Sequence, residues 1–415
     1  MYAHMQACMD VCVCSCMCLF TYMYTCMHTY VFESVLITKE YQTNYVVSFF
    51  SLYSEELFME MANKLVSDGY RDVGYTYINI DDCWMSKLRD ETGKLVADPV
   101  RFPRGIAFLA DYMHSRGLKL GIYQSFGRRT CMGYPGIAGH IDQDVKTFAD
   151  WKVDMVKLDA CNSNPRAMDE GYVAIGKYLN NTGRPMVYSC SWPYYQLLAN
   201  MEPDYKLIAH KCNMWRNYDD IHDSWKSIEK VIDFFGDNQE VLSPHIGPGH
   251  WSDPDMLMIG NPHLTVGQAR AQMAVWAMIP GPLLMSNDLR DIRVEFQKIL
   301  LNTKVIAVNQ DSLGLPGKRI FKKNHLEIWK RPIQPVENNA SSFAVLILSR
   351  YPYKFGAVSV RIWLAEIGLK NEMGYLVTDL FSNFDMGHFY PNNSLRVSVP
   401  SVDVIMLTFK LQINS

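Results

Sequence analysis

Between residues 54 and 190 the chain repeats one pattern, an amphipathic helical stretch that runs into a short apolar β-type run. "SEELFMEMANKLVSDG" opens at Ser54, places Glu55 and Glu56 in a first turn, spaces Leu57, Met61 and Leu65 helically and stops at Gly69; "YTYINI" (75–80) follows. The same order recurs in "GIAFLADYMHSRG" (105–117) with "KLGIY" (119–123), "DQDVKTFADW" (142–151) with "VDMVKL" (153–158), and "MDEGYVAIGKYLNN" (168–181) with "PMVYSC" (185–190). Strands separated by helices pair in parallel through right-handed crossovers. "KLIAHK" (206–211), "MLMIG" (256–260) and "IPGPLLMS" (279–286) read as weaker further strands. A (β/α)₈ barrel fits this count, and an open doubly wound sheet is the alternative.

After about residue 312 the period changes to short alternating runs such as "RIFKKNHLEIWKR", "SFAVLILSR" and "RVSVPSVDVIMLTFKL". This predicts a second, antiparallel β domain of sandwich type, beginning shortly after "LGLPG" (313–317). The expected division is an atypical Cys/Met/Tyr-rich segment (1–53), a catalytic barrel (54–311) and the β domain (312–415). A net charge of -3 and a pI near 6.4 carry no electrostatic footprint for nucleic acid or an anionic membrane. Six of the 11 cysteines precede residue 27, and the five in the body form no CxxC pair, which argues against a zinc ribbon and for disulfides in an oxidising compartment. Sequons open at Asn180, Asn339 and Asn392, in keeping with secretory passage, although no signal peptide is recognisable in the first 50 residues. The apolar segment 273–285 is too short to span a bilayer and is broken by Pro280 and Pro282.

In a barrel, reacting groups come from the carboxyl ends of several strands. The residues just beyond the apolar runs are Asp81 and Asp82, Tyr123, Lys157 and Asp159, Ser191 and Trp192, Arg216, Asp219 and Asp220, and Asp253 and Asp255. Neither a histidine cluster nor a glycine-rich phosphate loop is among them, so metal and nucleotide chemistry find no support. The set suits a sugar: carboxylates accept hydrogen bonds from vicinal hydroxyls, an aromatic ring packs on a pyranose face, and two carboxyl groups can break a glycosidic bond. Singly, each has a plainer reading, an Asp as helix cap or turn residue, Lys157 as a snorkelling side chain, Trp192 as packing. Recurrence at one end of several strands favours the site.

"YINIDDCW", "TCMGYPG", "FADWKVDMVKLDAC", "YSCSWP", "WRNYDDIHDSW", "GPGHWSDPDMLMIGN", "MSNDLR" and "AVNQDSLG", in that order, resemble the α-galactosidase and α-N-acetylgalactosaminidase family of retaining glycosidases, family 27. The resemblance runs from about residue 54 to the C-terminus. It implies a barrel followed by an antiparallel β domain, with no cofactor and no metal. It also implies Asp159 as nucleophile, through the "KxDxC" motif, and Asp220 as acid/base, through "RNxxD". Asp81 and Asp82 resemble the pair that grips sugar hydroxyls. Lys157 would keep Asp159 ionised and bind hydroxyls, and Tyr123, Arg216, Asp255 and Met256 match further pocket positions. Cys131 with Cys161 and Cys190 with Cys212 carry over as disulfides, leaving Cys83 over. A homodimer in the lysosome or outside the cell is implied as well.

Specificity in the family depends on the loop after Cys190. Ser191 matches the branch that removes terminal α-N-acetylgalactosamine and Tyr195 matches the family tyrosine, whereas Tyr194 stands where a small residue would leave room for the acetamido group. An α-galactosidase is therefore the alternative. Residues 1–53 contain nothing like the family's first strand, "PPMGWxSW", so that strand is expected to be atypical or missing, with "NYVVSFFSLY" (44–53) as an apolar substitute. If it is missing, a non-catalytic carbohydrate-binding relative or a chain that fails to fold is the reading from another class, because two sheet edges would lie open.

Overall fold

The computed structural model describes residues 33–37, 53–337 and 340–412. Eight parallel strands form the larger sheet: β1 (Glu33–Ile37), β2 (Tyr75–Ile80), β3 (Lys119–Ser125), β4 (Met155–Asp159), β5 (Val187–Cys190), β6 (Met214–Arg216), β7 (Trp251–Asp253) and β8 (Leu283–Met285). Their hydrogen-bonded order is β7-β6-β5-β4-β3-β2-β1-β8. Just past β7, Leu257 forms a parallel bridge with Met285, and its N–H donates to the Leu284 carbonyl at 2.7 Å. The chain leaving β7 thus meets β8, and the sheet curls into a barrel.

Of the two expectations for the first strand, atypical or missing, the structure supports the first and corrects the second. β1, with the sequence ESVLI, pairs in parallel with β2 on one side and β8 on the other. It falls at 33–37 and not in the 44–53 stretch, of which 44–52 lie outside the described residues, as do the N-terminal cysteines and Asn339. Ladder bonds join backbone groups, so an unrelated pentapeptide can satisfy the N–H and C=O groups that β2 and β8 would otherwise leave open.

The four long helix–strand units form as their spacing predicts. Helix Glu55–Ser67 buries Phe58, Met61, Ala62 and Leu65, three and four residues apart, and Met168–Asn181 buries Met168, Tyr172, Ile175 and Leu179 in the same rhythm. "KLIAHK" is a helix and not a strand: it lies in Tyr205–Lys211, is capped by Asp204 accepting the Leu207 N–H at 2.9 Å, and buries Tyr205 and Ile208. "MLMIG" forms the loop after β7, and "IPGPLLMS" contains β8. Strands β6, β7 and β8 have three residues each, too few to show a period in sequence.

The C-terminal strands are β9 (Lys318–Lys323), β10 (Leu326–Glu337), β11 (Ala340–Ser349), β12 (Val358–Trp363), β13 (Tyr375–Asp379), β14 (Phe384–Phe389), β15 (Ser394–Val399) and β16 (Asp403–Leu411). Six form an antiparallel sheet, β14-β13-β16-β11-β10-β9, and β12 pairs with β15 in a second one. Alternate residues Val360, Ile362, Leu395 and Val397 point inward against Val345, Ile347, Leu407 and Phe409, giving a sandwich core. The β9–β10 hairpin turns on Asn324 and His325, at φ 47° and 62°, the left-handed pair that matches strand twist.

Helix Val266–Met278 is buried almost all round because it packs between the barrel and strands β11 and β16. The fully buried Arg331 of β10 donates to the carbonyls of Ala277 at 2.5 Å, Val308 at 2.6 Å and Leu315 at 2.8 Å. It thereby satisfies the C-terminal ends of helices Val266–Met278 and Thr303–Asn309 and locks the sandwich to the barrel floor. Among the described residues no helix is long and apolar enough to cross a membrane.

Candidate active site

The carboxyl ends of β2, β3, β4, β5 and β6 converge. Lys157, in the middle of apolar β4, reaches across the barrel to Asp81 Oδ2 at 2.6 Å. Burial opposes its charge, but the carboxylates of Asp81, Asp159 and Asp220 outweigh that and raise its pKa above that of an ordinary lysine. A lysine inside an apolar run is thus stable there because three acids share its field.

Asp159 ends β4. Its Oδ1 accepts the Tyr195 hydroxyl at 2.8 Å and the Ala160 N–H at 2.8 Å, and its Oδ2 accepts the Tyr123 hydroxyl at 3.0 Å. Two phenols and a backbone amide fix the carboxylate's plane. The Cys131–Cys161 disulfide lies beside it, with Cys161 Sγ 3.0 Å from the Tyr195 hydroxyl, and the Cys190–Cys212 disulfide joins the end of β5 to the start of β6. Cys83 is buried and outside both. Among the described residues one trio of possible metal donors clusters, Cys131, Asp159 and Cys161, but two of its three atoms are the disulfide sulfurs.

Asp82 faces the same space from β2, with Oδ1 accepting the Cys83 N–H at 2.6 Å and Oδ2 the Met132 N–H at 2.9 Å. Burial raises its pKa, against the pull of those amides. Arg216, at the end of β6, holds Asp220 Oδ1 at 2.9 Å and Asp255 Oδ2 at 2.8 Å with one nitrogen. The two acids differ in access: the Asp220 side chain is 59% exposed, that of Asp255 4%. Only Asp220 can exchange protons readily with solvent. Burial works against its charge, yet the Arg216 guanidinium and Lys157 hold its pKa below the usual carboxylate range. Met256, buried, donates its N–H to Asp255 Oδ1 at 2.9 Å.

The backbone is left-handed at three rim positions, Cys83 (φ 76°), Asn162 (φ 56°) and Asp255 (φ 71°), each one to three residues past a strand-end acid. Such conformations are strained for residues other than glycine and gather where side chains must be aimed. Ser191 is buried at the head of helix Trp192–Leu198. Tyr194 is half-buried, with its hydroxyl on Asp219 Oδ1 at 2.9 Å.

All the acids, tyrosines, Lys157 and Arg216 singled out from the sequence are therefore at one barrel end. Trp192 is not free to meet a ligand with its indole N–H, which donates to Asp169 at 2.9 Å. One contributor was not among the residues singled out from the sequence. Tyr53 donates to the Asp81 carbonyl at 2.9 Å, and its ring packs edge-on against Phe58 at 5.3 Å. An aromatic one residue before a helix cap and an apolar residue at the fourth helical position form a hydrophobic staple, a signal that was there to be read. Asp253 stands on the strand-end roster, but its environment was invisible: it lines a cavity inside the barrel with Asn79, Lys157, Ser189, Arg216 and Asp255.

Burial pushes the Asp253 carboxyl up to about 7, with Arg216 opposing and Asp255 adding repulsion. Between pH about 4, near an ordinary aspartate's value, and about 7 the folded protein keeps this proton while the unfolded chain has lost it. The stability it contributes is therefore fully present below about pH 4 and disappears as the pH rises through about 7. Asp253→Asn, which keeps an acceptor for the Asp255 N–H (2.8 Å from Asp253 Oδ1), is expected to flatten the decline of the thermal midpoint across that window. Parallel pH profiles for the two proteins would contradict this.

A family model described as alpha galactosidase A matches residues 48–311. The chain is 48% identical to the alpha-N-acetylgalactosaminidase of Gallus gallus, over 85% of this chain and 86% of that one. It is 47% identical to the alpha-galactosidase A of Homo sapiens, over 77% and 73% respectively. Its fold resembles the crystal structure of alpha-galactosidase I from Mortierella vinacea, with a TM-score of 0.78 at 27% identity over 93% of this chain and 98% of that one. With the barrel, the sandwich and the ring of strand-end acids in place, these likenesses establish that the chain is a glycoside hydrolase belonging to family 27, the family of the α-galactosidases and α-N-acetylgalactosaminidases.

Proposed function

We propose that the chain is a retaining exo-α-glycosidase that removes terminal α-N-acetylgalactosamine, with terminal α-galactose as its second substrate. The observation that carries the first preference is Ser191, a small buried residue at the head of helix Trp192–Leu198, whose N–H donates to the carbonyl of Leu158, the residue before Asp159, at 3.0 Å. A 2-acetamido group needs space there, and a serine leaves it. The identities to alpha-N-acetylgalactosaminidases from Gallus gallus and Mus musculus, 48% in both cases, support the same reading.

In the first half-reaction Asp159 attacks the anomeric carbon from the face opposite the leaving group, while Asp220 protonates the departing oxygen; in the second, Asp220 takes a proton from water, which releases the sugar with its configuration retained. Asp81, Asp82 and Lys157 bind the ring hydroxyls. Because Arg216 favours the ionised form of Asp220, low pH favours the acid form that the first step uses. Two disulfides suit an oxidising, lysosomal or extracellular setting; a homodimer is the assembly we infer from the family resemblance, and light scattering decides it.

An aryl α-N-acetylgalactosaminide is expected to turn over faster than the matching α-galactoside. Ser191→Glu should reverse that order by roughly tenfold to a hundredfold, since a carboxylate would fill the acetamido space and accept a hydrogen bond from a 2-hydroxyl. A native preference for the galactoside would mean that the Tyr194 ring, three residues on, decides specificity in place of Ser191.

A further inference from the structure

The structure assigns Tyr194 a second task, as the positioning residue that ties the loop carrying Asp220 to the loop that selects the sugar; the inference rests on Asp220 being the acid/base. The Tyr194 hydroxyl donates to Asp219 Oδ1 at 2.9 Å, and the same oxygen accepts the Asp220 N–H at 3.0 Å. One carboxylate oxygen thus joins the first turn of helix Trp192–Leu198 to the backbone of Asp220. On its other side the Tyr194 ring meets Tyr195 edge-to-face, with centroids 5.2 Å apart and planes at 71°, and the Tyr195 hydroxyl donates to Asp159 Oδ1 at 2.8 Å. An unbroken series of contacts therefore runs from Asp159 through Tyr195, Tyr194 and Asp219 to Asp220.

The loop has reason to need that tie. Asp219 and Asp220 are exposed, and beyond this clasp the Asp220 side chain is held by Arg216, which also binds the Tyr218 carbonyl at 3.0 Å. Arg216 is itself shared with Asp255. Arg216 and, one residue past Asp220, the Ile221 N–H on Asp255 Oδ2 at 2.9 Å hold the loop from the barrel side, but neither touches the exposed Asp219 side chain that precedes the acid. The Asp219 clasp adds an anchor on that exposed side, and proton transfer to a leaving oxygen needs the carboxyl held within hydrogen-bond reach of it.

The test compares leaving groups. A dinitrophenyl α-glycoside departs without an acid, whereas an alkyl α-glycoside of the same sugar needs one. Tyr194→Phe removes a single half-exposed oxygen, and circular dichroism with the thermal midpoint checks that it folds. It is expected to lower kcat on the alkyl glycoside by roughly tenfold, with KM little changed, and on the dinitrophenyl glycoside, in the single-turnover first step, by less than about twofold. Asp219→Ala should do the same, and the double variant should be no worse than either single one, because both break one clasp. Equal losses on both substrates, no loss on either, or additive losses would overturn the assignment. Asp220→Asn runs in the same assay. If it shows the leaving-group dependence and Tyr194→Phe does not, the positioning role alone falls; if Asp220→Asn shows none, the acid/base reading falls and takes the positioning role with it.

Discussion

Replacing Asp159 with asparagine is expected to abolish turnover, by on the order of 10⁵-fold or more, even for a dinitrophenyl glycoside whose leaving group needs no acid. A carboxamide oxygen is too weak a nucleophile to form the covalent glycosyl intermediate, so neither half-reaction can begin. The loss should not reflect unfolding. Asp159 ends a strand and is held from outside, by the Tyr123 and Tyr195 hydroxyls and the Ala160 N–H, and an amide can still accept from one phenol. A thermal midpoint within a few degrees of the parent's, sugar binding retained and no burst of released dinitrophenol would together locate the defect in bond formation. A variant that keeps activity to within a hundredfold of the parent would remove Asp159 from the role of nucleophile.

Whether the barrel was legible in the sequence depended on strand length. β2 has six residues and the helices flanking it 13 and ten, enough for both periods to show, and Tyr75–Ile80 falls where the pattern puts it. β6, β7 and β8 have three residues each, so the apolar runs nearby drew attention to 206–211, which is a helix, and to 256–260, which is a loop. β1 illustrates the opposite limit. Its place is set by the unpaired edges of β2 and β8, a tertiary demand that leaves little mark on ESVLI itself.

The site divides along similar lines. Asp81, Asp82 and Asp159 could be named because they close the apolar runs of β2 and β4, Asp220 through the family's motif, and the two disulfides join the cysteines that the family resemblance implied. What a carboxylate touches could not be read. The bond from Tyr195 to Asp159 spans 36 positions and that from Lys157 to Asp81 spans 76, distances at which only the closed barrel decides who meets whom. Burial separates Asp255 from Asp220 although one arginine holds both, and Tyr194 turns its hydroxyl to Asp219, a direction that no residue spacing encodes.

The sharpest separation of the two carboxylates comes from Asp220→Asn. If Asp220 is the acid/base, this variant should still form the glycosyl-enzyme from a dinitrophenyl glycoside, because that first step needs no proton, while the second slows by roughly 10²-fold to 10⁴-fold for want of a base. The intermediate should then accumulate, visible as a burst of dinitrophenol followed by slow turnover and as a protein heavier by one sugar residue. Azide, an anion that attacks without general-base help, should restore turnover. The exposed flank of Asp220, which its 59% accessible side chain shares with solvent, gives azide a route to the face that water would use. Two inversions leave the product an α-glycosyl azide. A β-azide from this variant would mean that azide had replaced the enzymic nucleophile in one displacement, as it should in Asp159→Asn, and the roles of the two residues would have to be exchanged. No burst and no rescue, in a protein that still folds and binds sugar, would place the acid/base elsewhere, with the Arg216-bound Asp255 as the next carboxylate to replace.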